Sequence, residues 1–328
     1  MLRSIALLAG FFAFAGCSAS AKAIMEYALP NGASLPHRIA KGTDGNMWFT
    51  EQTGHRIGRI NPAGTIAEFD LPNGGNPMGL AAGPDGKMWF TESPGHRIGR
   101  IDAAGKIVEF SAGLSANGSP GEITAGPDGA LWFGEDVSLS DGTYGSKIGR
   151  ITTAGTIAEF VLPDRSGVLN NIASDSERIW FTLGFPGNGI GWMDVRTHHA
   201  TVVALPDGTS YAQGIALGSD GNMWFAMPQD HRMGRITKDG KITMFPMPDR
   251  GDVTGSPSNV ALGPDGAMWF TEFNQSRVGR VTTAGVITEV SDGITDGSSP
   301  DGIALGSDGN LWFTEYNGNR IGKLKPSP

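Results

Sequence analysis

The chain has 328 residues, of which 50 are Gly and 20 Pro, 39% are hydrophobic and only 18% are charged. So many turn formers beside an ample apolar fraction exclude global disorder and point to one large all-β ring rather than two mixed domains. The formal charge of −8 repels phosphate backbones and anionic lipid, which excludes nucleic acid as a partner.

From the N-terminus, Arg3 supplies a positive charge, Ile5 to Ala15 an apolar run, and Ala21-Lys22-Ala23 a small-x-small cleavage site. Residues 1–23 therefore read as a signal peptide, and the mature protein is expected to be exported, periplasmic or secreted. Cys17 is the chain's only cysteine and ends Phe14-Ala15-Gly16-Cys17, which resembles a bacterial lipoprotein processing site and offers lipid anchoring as the alternative to simple cleavage. The folded part has no disulfide, and no later segment has the roughly 20 apolar residues a membrane span needs. A soluble monomer is expected.

Beyond residue 23 the dipeptide Trp-Phe recurs at Trp48, Trp89, Trp132, Trp180, Trp224, Trp269 and Trp312, at spacings of 41, 43, 48, 44, 45 and 43 residues. Such a period marks propeller blades. Residues 77–110 give the grammar: an apolar strand, a Gly83-Pro84-Asp85-Gly86 turn, the strand around Trp89-Phe90-Thr91-Glu92, a loop, a third strand from Arg97, an Asp-Ala-Ala-Gly turn and a fourth strand to Phe110. Residues 24–328 thus read as a seven-bladed β-propeller of four-stranded antiparallel blades. The last repeat stops at Leu324 without a fourth strand, and residues 24–32 match 66–74, so the N-terminal strand is expected to pair with the last blade and close the ring. The repeated Arg-Ile-Gly-Arg-Ile segments, as at Arg56 to Ile60, read as inter-blade structure rather than an anion site. His55, His96 and His231 read as exposed loop residues.

In an up-and-down blade the start of the first strand and the end of the second share one face. On that face the first strands place His37-Arg38, Met78-Gly79, Gly121-Glu122, Asn170-Asn171, Gln213-Gly214, Ser258-Asn259 and Asp301-Gly302, pairs that vary while their flanks repeat. The second strands end there with Glu51, Glu92, Glu135, Glu272 and Glu315, which either bind a cation near the axis or bond neighbouring backbone and Arg groups. The insertion 136–146, carrying Tyr144, lies on the same face. Ligand contacts are expected from Arg38, Met78, Glu122, Asn171, Gln213, Asn259 and Tyr144, with a small-molecule or peptide-like ligand. No phosphate loop or Gly-x-Ser-x-Gly elbow is present.

The run Gly-Pro-Asp-Gly-x-Met/Leu-Trp-Phe-Thr-Glu followed by Arg-Ile-Gly-Arg-Ile resembles the streptogramin B lyase (virginiamycin B lyase) family across residues 24–328. That resemblance implies a lyase that opens a cyclic depsipeptide by elimination, with a His as general base and a magnesium ion polarising the ester. The family's Pro-His-x-Ile pattern belongs to the last two blades, where this chain has Pro257-Ser258-Asn259-Val260 and Pro300-Asp301-Gly302-Ile303. Its only Pro-His-x-Ile is Pro36-His37-Arg38-Ile39. On the lyase-like reading His37 is the catalytic base, and Asp301, Glu315 and Glu51 hold the metal. Two alternatives stand beside it: a non-catalytic propeller binding a peptide, glycan or cell-wall ligand at the channel mouth, and a metal-dependent lactonase-like hydrolase built on Glu122, Asn171, Asn259 and Asp301.

Overall fold

The structure, a computed structural model, describes residues 23–93, 95–116, 118–138, 144–162, 167–185, 187–206, 210–249 and 255–326. Twenty-eight strands form seven four-stranded antiparallel sheets, with no helix among the described residues. Blade one is Pro36–Lys41, Met47–Glu51, Arg56–Ile60 and Ile66–Asp70, and each later blade repeats that order. The signal segment and Cys17 lie outside the described residues.

Each turn Asp satisfies the indole of its blade. The buried Trp48 Nε1–H donates to Asp44 Oδ1 at 3.1 Å and Trp89 to Asp85 at 3.0 Å, and the bond recurs at Trp132, Trp180, Trp224, Trp269 and Trp312. A buried indole donor left unpaired would cost ~1–3 kcal/mol, so the turn and the core are specified together. Arg59 lies over the Trp48 ring, 5.2 Å from its centroid, and its Nη1 donates to the Ala103 carbonyl of the next blade at 2.8 Å. Arg100 reaches Thr153, Arg235 reaches Thr283 and Lys323 reaches Pro62 in the same way, so the basic repeat ties neighbouring blades. The Gly between the two basic residues is required by packing, because a Cβ at Gly58 would fall inside the Phe49 ring.

The core lies between blades. Trp48 and Ile57 of blade one pack with Leu80, Met88 and Phe90 of blade two. Phe49, on the opposite face of the same strand, packs with Trp312 and Ile321 of blade seven.

At the seam Ile24–Ala28 pairs antiparallel with Arg320–Leu324, in register from Ile24↔Leu324 to Ala28↔Arg320, as the split repeat predicts. Tyr27 stacks on Trp312 with centroids 5.8 Å apart, repeating the stacking of Phe69 on Trp48 and Phe110 on Trp89. It also packs in the cluster holding Leu29, Ile39 and Trp312, which joins blades seven and one.

Candidate functional site

The site is made by a bulge repeated in the first strands. Pairing with the second strand shifts register between Pro36 and Ile39, and likewise in blades two, three, six and seven. Two residues in each of these five blades are thereby released from the ladder and turned to the channel. The Thr of Trp-Phe-Thr-Glu takes over their hydrogen bonding. Arg38 N–H donates to Thr50 Oγ1 at 3.0 Å, and Thr50 in turn donates to the Met78 carbonyl of blade two at 3.1 Å. In blade seven Gly302 N–H donates to Thr314, which donates to the His37 carbonyl at 2.7 Å, carrying the same stitch across the seam.

The second of these positions, and its equivalents Asn171 and Gly214 in blades four and five, lie where neighbouring backbones come closest. A Cβ at Gly79, Gly214 or Gly302 would strike the backbone of the following blade. The other four blades carry Arg38, Glu122, Asn171 and Asn259 there, all with little exposure, and these cross the channel to one another. Arg38 Nε donates to Glu122 Oε1 at 2.8 Å, and its Nη1 to Asp301 Oδ1 at 3.2 Å. Asn259 Nδ2 donates to Asp301 Oδ1 at 2.7 Å, and Asn171 Nδ2 to Asn259 Oδ1 at 3.4 Å. Residues from five blades thus meet in a single polar network.

His37 lies on the edge of this network. Its Nε2 is 3.4 Å from Asp301 Oδ2 and its Nδ1 is 3.5 Å from the Met78 carbonyl. Burial, reinforced by the Arg38 guanidinium, lowers its pKa to about 3, so the imidazole is neutral through the physiological range. Burial pushes Asp301 the other way, upward, against the opposing pull of Arg38 and Asn259.

Two hollows flank His37. The larger, about 400 Å³, is lined by Gln52, Tyr211, Gln213, Phe273 and Tyr316 together with Ser258 and Asp301. The smaller, about 270 Å³, is lined by Arg38, Met78, Glu122 and Asn170. Tyr316 sets its ring edge-on to His37 at 6.3 Å, and its hydroxyl donates to Gln52 Oε1 at 2.8 Å.

The structure therefore brings His37, Arg38, Glu122, Asn171, Asn259 and Asp301 together, with Met78 and Gln213 in the walls. It does not bring Glu51 or Glu315 to them. Glu51 is fully buried beside Arg56 and Glu68 of its own blade, and Glu315 beside Arg320 and Glu26. Strand alternation is the reason: Thr50 faces blade two, so Glu51 shares the opposite face with Phe49. The five recurrent Glu residues are thus interior groups rather than an axial ring. A strand begins at Tyr144, whose side chain lies outside the described residues. His55, His96 and His231 are exposed, as expected, and each holds positive φ at its turn. The aromatic lining of Tyr211, Phe273 and Tyr316 was not foreseen. Phe273 and Tyr316 directly follow the recurrent Glu, at a position that varies from blade to blade and carried the signal.

Magnesium, which the resemblance implies, does not fit the donors present. Among the described residues no group of three or more His, Cys, Asp or Glu side chains is arranged to hold an ion. The two carboxylates that reach the channel network, Glu122 and Asp301, are bridged by a guanidinium.

The sequence model of the virginiamycin B lyase family matches residues 15–182, 141–254 and 165–327. A solved streptogramin B lyase is similar at 31% identity and TM-score 0.81, over 92% of this chain and 97% of that one. A catalytically inactive histidine-to-alanine variant of the virginiamycin B lyase from Staphylococcus aureus, solved with quinupristin, is similar at 32% identity and TM-score 0.81, over 93% of this chain and 99% of that one. A putative gluconolactonase, 14% identical with TM-score 0.56, shares the fold alone. No curated protein matches the sequence.

Proposed function

This chain belongs to the virginiamycin B lyase family, and on that premise we propose that its channel mouth binds an uncharged, peptide-like ligand bearing aromatic groups without opening it. The observation that carries this reading is the larger hollow. Its walls are aromatic rings and neutral polar groups, and its floor is a network whose charged members are already partnered. Such a surface rewards stacking and amide hydrogen bonding and offers nothing to a free ion. A ligand larger than about 400 Å³ sits over the mouth and inserts one ring.

His37 is placed to touch that ligand but is poorly suited as a base. A general base works best with a pKa near the ambient pH, and burial holds His37 at about 3. Elimination with His37 as the base is the second reading, favoured by the 3.4 Å approach of His37 to Asp301 in the wall of the hollow. The N-terminal segment is part of the proposal: it exports the protein, and the mature chain begins at Ile24. N-terminal sequencing of the secreted or periplasmic protein tests that, with a blocked, lipidated Cys17 as the contrary result.

The streptogramin B quinupristin is the probe. Calorimetric titration is expected to give one site per chain that Tyr316→Ala weakens. No heat at saturating antibiotic would overturn the binding reading.

A further inference from the structure

We propose that Arg38 is the resident cation of the channel: its guanidinium occupies the place of a divalent ion among oxygen donors that would otherwise bind one. The donors converge from four blades. Glu122 Oε1 lies 2.8 Å from Arg38 Nε, Asp301 Oδ1 lies 3.2 Å from Nη1, and Asn259 joins Asp301 at 2.7 Å with Asn171 behind it. Two carboxylates meet at the guanidinium, with the two amides bonded in series behind Asp301, and once the guanidinium is gone these carboxylate oxygens, with the amides free to turn their own oxygens inward, are hard donors of the kind that suits Mg²⁺, Ca²⁺ or Mn²⁺. In this chain the point is filled by a side chain anchored at its own backbone by Thr50.

The electrostatics require some cation there. Glu122, Asn171, Asn259 and Asp301 are each more than nine-tenths buried, and two buried carboxylates facing one another without a counter-charge would repel and pay desolvation uncompensated. A guanidinium answers this with fixed planar donors and cannot lose its proton under these conditions. Its own pKa rises beyond the ordinary range because Glu122 and Asp301 outweigh the opposing effect of burial. A divalent ion would have to displace a covalently tethered group whose effective concentration is far above any metal in solution. The channel chemistry of this chain is therefore independent of added metal. Removal of the guanidinium converts the same donors into a divalent-cation site.

The test is independent of ligand binding. Wild-type protein and Arg38→Ala are stripped with chelator and titrated with Mn²⁺, following free Mn²⁺ by electron paramagnetic resonance and thermal midpoints in parallel. Wild type is expected to take up no stoichiometric Mn²⁺ and to melt at one temperature in chelator, Mg²⁺ or Mn²⁺. Arg38→Ala is expected to melt lower in chelator, to bind about one Mn²⁺ per chain, consistent with one vacated guanidinium position, and to regain part of the lost midpoint. Adding Asp301→Asn to Arg38→Ala is expected to abolish that uptake. Stoichiometric Mn²⁺ binding by wild type overturns the proposal, as does a folded Arg38→Ala that binds none. Should Arg38→Ala not fold in chelator, Arg38→Met, which keeps the stem and loses the charge, serves in its place, and the wild-type titration stands alone as a refuting arm.

Discussion

Ring closure rests on the paired N-terminal strand, and Tyr27→Ala measures what its aromatic stack contributes. The Tyr27 ring is half-buried, lies 5.8 Å from the Trp312 ring and packs against residues of both blades it joins. Losing about 100 Å² of buried apolar surface costs ~2.5 kcal/mol, and the stacking itself adds ~0.5–1.5 kcal/mol. The sum, ~3–4 kcal/mol, corresponds in a chain of this size to a fall in midpoint of ~6–8 °C, taking the lower end of the usual ~2–4 °C per kcal/mol. The control is Met25→Ala in the same strand, where Met25 is 50% exposed and the expected change is under ~0.5 kcal/mol. Scanning calorimetry of the three proteins at one scan rate reads both shifts. If Tyr27→Ala melted no lower than Met25→Ala, the strand would not be holding the ring shut, and the seam account would be wrong.

Gly99→Ala places a methyl group in the Phe90 ring, and since the blade cannot move away from its neighbours the expected loss is ~1–3 kcal/mol, read from the urea midpoint. Burial first, then the facing Glu159, raises Glu135 to about 8, and burial with Glu26 raises Glu315 to about 8. A carboxyl raised on folding favours the native state below its unfolded pKa and loses that contribution as pH climbs to the folded value. Stability is therefore expected to decline between about pH 4.5 and 8, and Glu135→Gln is expected to flatten the decline; an unchanged slope would remove Glu135 as its source. Tyr316→Ala should weaken quinupristin binding by ~1–2 kcal/mol, or roughly tenfold, in a calorimetric titration. Because His37 titrates near 3, affinity for the ligand should not follow histidine protonation between pH 5 and 7, and a break near 6.5 in that titration would contradict the neutral imidazole.

The ring was legible because its signals are local or strictly periodic. The Trp-Phe period counted the blades, and the match of 24–32 to 66–74 located the missing strand. The turn Asp announced a reversal but gave no sign that it also caps an indole, because that bond depends on the Trp side chain reaching back four residues in six of the blades. The candidate site was half legible. His37, Arg38, Glu122, Asn171, Asn259 and Asp301 stood out as the variable pairs on repeating flanks. Their pairing was not, since Arg38 meets Glu122 and Asp301 at sequence separations of 84 and 263, and only side chains that span the channel decide such contacts. Glu51 and Glu315 were misplaced by counting loops and neglecting the two-residue alternation that turns them away from Thr50 and Thr314. Nor does sequence adjacency of Arg38 to His37 show that the guanidinium reaches Asp301 across the seam.

The central claim, that this channel mouth holds a peptide-like ligand intact, is tested most directly by prolonged incubation of the mature protein with quinupristin at saturating concentration. Chromatography with fragmentation mass spectrometry separates the cyclic antibiotic from a linear isomer of the same mass. The expected result is cyclic antibiotic recovered unchanged, with and without Mg²⁺, from a protein that demonstrably binds it. Accumulation of the linear isomer, lost on His37→Ala, would contradict the claim and make this chain a working lyase with its base in blade one.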